Sequence, residues 1–154
     1  MTPLILFFNP RGQNHKARIP NSILQIAASV EGKYDYAIVD GNLEDDPWPL
    51  VENYLRQGGI RYFACTVMPG PQLKQAIPFS KRVREVYPGV RIIWGGYFPS
   101  NQPNVVLRSG YVDLVINGMG HHAFPALIGW MEGGADWRGI RNLIYLNEER
   151  VVSN

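Results

Sequence analysis

The residues whose types and spacing could do chemistry are few, and most of them are glycines. Arg91-Ile92-Ile93-Trp94 is a bulky run that stops at Gly95-Gly96 and continues as Tyr97-Phe98-Pro99-Ser100. A glycine pair at a strand end removes two side chains where the chain passes close to something else. The carboxyl ends of strands are also where open α/β sheets dock their ligands. The pair therefore marks either a ligand channel or a close helix–strand contact. A second glycine turn, Gly118-Met119-Gly120-His121, follows the run from Tyr111 to Asn117. Elsewhere the chemistry is thin, with no nucleophile set beside a base and no convergent acid pair. Cys65 is the single cysteine; inside an apolar run it reads as inert core. Adjacent His121 and His122 would point about 100° apart on a helix, and no third ligand accompanies them, so a metal site is not expected.

Three occupants of α/β sheets can be tested on the loop after the first strand. A dinucleotide needs a glycine-rich turn there, so that backbone amides approach the pyrophosphate. Asn9-Pro10-Arg11-Gly12-Gln13-Asn14 has one glycine, and Asp40 after the second strand then reads as an ordinary turn residue. A phospho-accepting receiver needs an acidic cluster after the first strand and an aspartate ending the third. This chain has Asn9 and Cys65-Thr66-Val67 instead. A flavodoxin-type phosphate loop would be rich in Ser and Thr, and this one is not.

The elements that must position these residues are legible from the runs between them. The 154 residues, 45% hydrophobic and 18% charged, suit one folded domain with a real core. A net charge of +2 argues against nucleic acid or an anionic membrane as partner. Lys74, Lys81, Arg82 and Arg84 read as one solvated helix face. One cysteine excludes a disulfide framework and suits the cytoplasm. The opening apolar run is too short for a signal segment, and no run approaches the roughly 20 residues of a membrane span.

Strands are expected at Leu4–Phe8, Tyr36–Val39, Tyr62–Thr66, Val90–Trp94 and Val112–Ile116, compact runs of the kind covered on both faces. Helices are expected from an opening at Pro20-Asn21-Ser22 to about Val30, from Asp46-Pro47 to Gly58-Gly59, up to Tyr87, around Asn104–Ser109, and from near His121 to Gly133-Gly134. Pro78 requires the third helix to kink or to begin there. Trp48, Trp130 and Trp137 are expected to seal the core. Residues 1–135 would form the α/β domain, and residues 136–154 a terminal strand or hairpin. The βα alternation predicts a doubly wound, flavodoxin-like (Rossmann-like) parallel sheet of about five strands with helices on both faces.

Gly95-Gly96-Tyr97-Phe98-Pro99-Ser100, Pro103, Asp113, the Gly118-Met119-Gly120-His121 turn and Phe124 together resemble the N-terminal cobalamin-binding domain of B12-dependent radical SAM enzymes. The resemblance spans nearly the whole chain. The aromatic version of the glycine-pair motif is similar to that of enzymes such as the anaerobic magnesium-protoporphyrin IX monomethyl ester cyclase. The resemblance implies a cobalamin site built from Asn9, Arg11, Gly12, Thr66, Met68, Gly95, Gly96, Tyr97, Phe98, Asn117, Gly118, Met119, Gly120 and His121. Glycines at the strand ends would leave room for the nucleotide tail, and the corrin would lie over the carboxyl ends of the strands. Tyr97 and Phe98 would stack on the cofactor or else pack on neighbouring helices.

Other implications follow from departures. The mutase-type Asp-x-His-x-x-Gly turn is not matched, since Gln13 and Arg18 flank His15, which reads as a surface residue. Cobalt would be five-coordinate, water-bound, or approached from below by Arg11 or Asn14. Met119 and His121 replace the family turn's two glutamates. The family's catalytic barrel carries a four-iron cluster and S-adenosylmethionine on three cysteines, which one cysteine cannot supply. The implied role is thus a cofactor-holding domain of a parent enzyme of methyl transfer or tetrapyrrole cyclisation, not catalytic alone. The alternative is a vestigial module that no longer binds cobalamin and serves as a structural or docking domain.

Overall fold

The computed structural model describes residues 3–12 and 18–154. The apolar runs become β1 (Ile5–Asn9), β2 (Tyr36–Asp40), β3 (Tyr62–Thr66), β4 (Arg91–Gly95) and β5 (Leu114–Ile116). The tail adds β6 (Leu143–Asn147) and β7 (Arg150–Ser153). Among the described residues all seven form one sheet in the order β2-β1-β3-β4-β5-β6-β7. Pairing is parallel from β2 through β5 and antiparallel from β5 to β7. The fold is α/β and flavodoxin-like, but with seven strands rather than about five. The difference is the terminal hairpin, which pairs Ile116 with Leu143 and so extends the sheet.

Alternation along the strands divides the core in two. Leu6, Phe8, Phe63, Cys65, Ile92, Trp94 and Val115 face one layer. Ile5, Phe7, Tyr62, Ala64, Ile93, Leu114 and Ile116 face the other. Onto the first pack α2 (Trp48–Arg56), α3 (Leu73–Val86), α5 (Pro103–Leu107) and, through Phe98, α4 (Tyr97–Asn101). The second is covered by α1 (Asn21–Val30) and α6 (Ala123–Glu132), with Trp137 and Ile140 packed at its side. Fewer helices on that face leave space between α1 and α6, where the strands end.

Several expectations are corrected. The third helix does not begin at Pro78: α3 runs through it, at the expense of the N–H that the Lys74 carbonyl would otherwise accept. Of the cations on α3, Lys74, Lys81 and Arg82 are exposed as expected, and only Arg84 is half-buried. Arg82 lies over the Trp48 ring at 4.3 Å, and Lys81 over Tyr111 at 5.5 Å. Arg84 Nη2 donates to Asp113 Oδ2 at 2.5 Å. Trp48 is buried, but Trp130 is 43% exposed and seals nothing. No described helix is long and apolar enough to cross a membrane.

Candidate functional site

The two glycines of the pair are required for different reasons. Gly96 has φ +99°, and a Cβ there would lie 2.9 Å from Val67 N and 3.0 Å from its carbonyl oxygen. Val67 N donates to the Gly95 carbonyl at 2.8 Å and Phe98 N to the Val67 carbonyl at 3.0 Å. The chain turns sharply at Gly96 while stitched to the neighbouring loop, which only glycine permits. That turn starts α4, so Tyr97 and Phe98 stand on a short helix rather than in the loop expected for them.

Gly95 has neither constraint. It is the last residue of β4, outside the positive-φ set, and a Cβ on it would find only the Ile116 carbonyl oxygen, at 4.0 Å. Two residues on from Ile93, it faces the α1/α6 layer. There it lines a cleft of about 190 Å³ that opens at the carboxyl ends of β3, β4 and β5. The floor is Phe7, Ala64, Ile93, Ile116 and Phe124, all buried, and α1 supplies Ile23 and Ile26. Gly118, Met119 and Gly120 form the opposite lip. A Cβ on Gly120 would sit 3.1 Å from Ile26 Cδ1 and 3.3 Å from Ile116 Cγ2, filling the gap between α1 and β5.

Of the expected site residues, Thr66, Gly95, Gly96, Gly118, Met119 and Gly120 meet at this cleft. Met68 and Tyr97 do not line it but stand exposed, Met68 on the loop after β3 and Tyr97 at the start of α4. Phe98 packs on the α2/α3 layer, the packing alternative of its two readings. Asn117 is held by its backbone, whose N–H donates to the Asn142 carbonyl at 2.8 Å. The His121 and His122 rings lie 4.1 Å apart, tilted by 51°, and the buried Nδ1 of His121 has no hydrogen-bond partner among the described residues. No metal-binding group of three side chains occurs among those residues.

Asn9, Arg11 and Gly12 lie at the other end of the same edge, tied into the protein. Asn9 Nδ2 donates to Asp40 Oδ1 at 2.9 Å. Asp40 also accepts from Asn42 N and Nδ2, as a turn residue does. Arg11 N donates to Gln75 Oε1 at 2.7 Å; its guanidinium donates to the carbonyls of Gly41, Glu44 and Asp45. Gly12 N donates to Asn42 Oδ1 at 2.9 Å. An Arg11 so bound is not free to approach a metal. His15 and Asn14 lie outside the described residues.

Sequence reasoning missed three contributors. Ser100 Oγ donates to the Gly96 carbonyl at 2.8 Å and accepts from Gly118 N at 2.9 Å, clamping the two glycine turns together. Gln72 Oε1 accepts from Met68 N at 2.8 Å while its Nε2 donates to the Pro10 carbonyl at 2.8 Å, joining the loops after β1 and β3. Leu43, beyond β2, is 67% exposed. A hydroxyl four residues after a turn glycine was a usable signal for Ser100; the other two needed the fold. Asp113, by contrast, is structural: its carboxylate accepts from Ile92 N and Arg84 at the far end of β4. Burial pushes the Cys65 thiol well above its usual range, partly offset by the Ser80 hydroxyl, so no thiolate stands near the cleft.

No protein-family model matches the chain, and no curated protein sequence matches it. Solved structures do. The chain is similar to the radical S-adenosylmethionine methyltransferase TsrM from Kitasatospora setae with cobalamin and a [4Fe-4S] cluster bound: TM-score 0.80, 18% identity, 99% of this chain and 29% of that one. It is similar to the cobalamin-dependent S-adenosylmethionine radical enzyme OxsB with aqua-cobalamin and S-adenosylmethionine bound: TM-score 0.86, 17% identity, 99% of this chain and 22% of that one. The Salmonella typhimurium response regulator RcsB shares the fold more loosely, with TM-score 0.56, 17% identity, and 88% of this chain against 62% of that one. This chain thus spans less than a third of each of the two radical enzymes. At these identities the likeness is one of fold.

Proposed function

We propose that this chain is a cobalamin-binding domain of a B12-dependent radical SAM enzyme. Gly95 carries the reading. Neither backbone conformation nor close packing requires glycine there, so its bare face is explained by what the cleft admits. An apolar cavity of about 150 Å³ is enough to hold a benzene-sized ring. The cleft is thus sized for one flat aromatic group of the nucleotide tail, not for a whole cofactor.

The broad corrin has a different surface to rest on. Leu43, Met68, Tyr97 and Met119 stand half-exposed or more on the segments that follow β2, β3, β4 and β5, an apolar row along the carboxyl edge of the sheet. Gly95 and Gly120 would admit the tail, Thr66 and the Gly118 turn would flank it, and the row would carry the ring. Bound cobalamin would supply the cobalt chemistry; this chain's part is to bind and orient. The parent reaction on this reading is methyl transfer or tetrapyrrole ring cyclisation, completed by a radical SAM barrel beyond residue 154. Residues 136–154 would lead toward it.

The competing reading, a docking module without cofactor, rests on the same row, which a protein partner would also cover. Titration of hydroxocobalamin, followed by its visible spectrum and by tryptophan fluorescence, separates the two. A saturable change at micromolar cofactor is expected. No change up to the solubility limit contradicts cobalamin binding.

A further inference from the structure

The polar groups of the cleft are unevenly placed. Ser22 and Gln25 on α1 are exposed at its mouth and Thr66 is half-exposed at the end of β3, opposite Gly95, while the depth is closed by Phe7, Ala64, Ile93, Ile116 and Phe124, each no more than 6% exposed. The acceptor nearest the bare face of Gly95 is the Ile116 carbonyl oxygen, a single group. A benzimidazole with a hydrocarbon outer edge brings no polar atom to such a floor. An adenine brings an exocyclic amine and ring nitrogens; the Ile116 carbonyl could accept from the amine and the Thr66 hydroxyl could donate to one nitrogen near the mouth, but a ring nitrogen seated on the apolar floor would be stripped of water and unpaired.

We infer that this cleft selects the lower base of the cofactor: a corrinoid whose tail ends in an apolar-edged aromatic base is accepted over one ending in adenine. The inference rests on the cobalamin reading above and goes further, to which corrinoid. Leaving one polar edge atom unpaired predicts a preference of about tenfold to hundredfold. Ala64 is the residue to alter, because it lies on the floor and a serine there adds one hydroxyl with little volume.

The test is equilibrium titration with three corrinoids: cobalamin, its adenine-tailed analogue, and cobinamide, which has no base. The expected order is cobalamin tightest, with the other two at least tenfold weaker. Ala64→Ser, checked for folding by circular dichroism, should narrow the gap between the two tailed forms severalfold. Equal binding of cobalamin and the adenine form overturns the selectivity while leaving the cobalamin reading intact. Cobinamide binding as tightly as cobalamin overturns it too, since the cleft would then hold no base. A wild-type preference that a folded Ala64→Ser leaves unchanged places the selection outside this floor. If none of the three binds, the cobalamin reading itself fails, and the inference with it.

Discussion

The loops after β1 and β2 and those after β4 and β5 stand side by side at the carboxyl end of one sheet, and they treat space in opposite ways. Around Asn9, Arg11 and Asp40 the prominent polar groups of the described residues are spent on neighbours, and Gln72 and Gln75 tie the loops down. Around Gly95, Gly118 and Gly120 side chains are missing and an apolar cleft is left open. Both regions are rich in residues that sequence alone marks as candidates. A polar side chain at a strand end is a site only if it remains unspent, and a glycine is a site only if nothing else requires it. By those measures the first region is a girder and the second is the opening it supports.

Substitutions can break this contrast, beginning with the largest effect. Gly96→Val forces a β-branched residue into φ +99° against the Val67 backbone; it should lower unfolding free energy by about 3 kcal/mol, read from urea denaturation. A loss within experimental error would remove the distinction between the two glycines. Asp40→Ala strips the acceptor that Asn9 and Asn42 share. Unfolding free energy should fall by about 2 kcal/mol, with cobalamin affinity nearly unchanged once folding is matched. A large affinity loss in folded Asp40→Ala would make the girder part of the site. Ser100→Ala removes the clamp between the glycine turns; stability should drop by about 1 kcal/mol and affinity a few-fold. An unaltered affinity would show that the two turns keep their spacing without it.

Much of the scaffold was legible because buried parallel strands announce themselves as compact apolar runs, and β1 to β4 fall within about a residue of their expected bounds. The terminal hairpin was also visible, but not its place in the sheet, since pairing with β5 is a contact between distant segments. Helix α4 was hidden because Gly-Gly-Tyr-Phe-Pro reads as loop; it forms only when Gly96 turns the chain and the Val67 carbonyl captures Phe98 N. In the site, the glycines could be read and the side chains could not. Arg11 looked free in sequence because the carbonyls that hold its guanidinium belong to Gly41, Glu44 and Asp45, 30 to 34 residues away. The cleft floor looked like core for a similar reason: burial at Phe7, Ile93 and Phe124 is what both a core and a dry pocket would show.

The central claim is that the bare face of Gly95 exists for a ligand. Titrating wild-type protein and Gly95→Val with hydroxocobalamin, at matched thermal stability, tests it most directly. Valine suits a strand and meets no atom that its Cβ would strike, so the variant should fold as well as the parent. Its cofactor affinity should fall at least a hundredfold. A folded Gly95→Val that binds cobalamin as tightly as the parent would contradict the account.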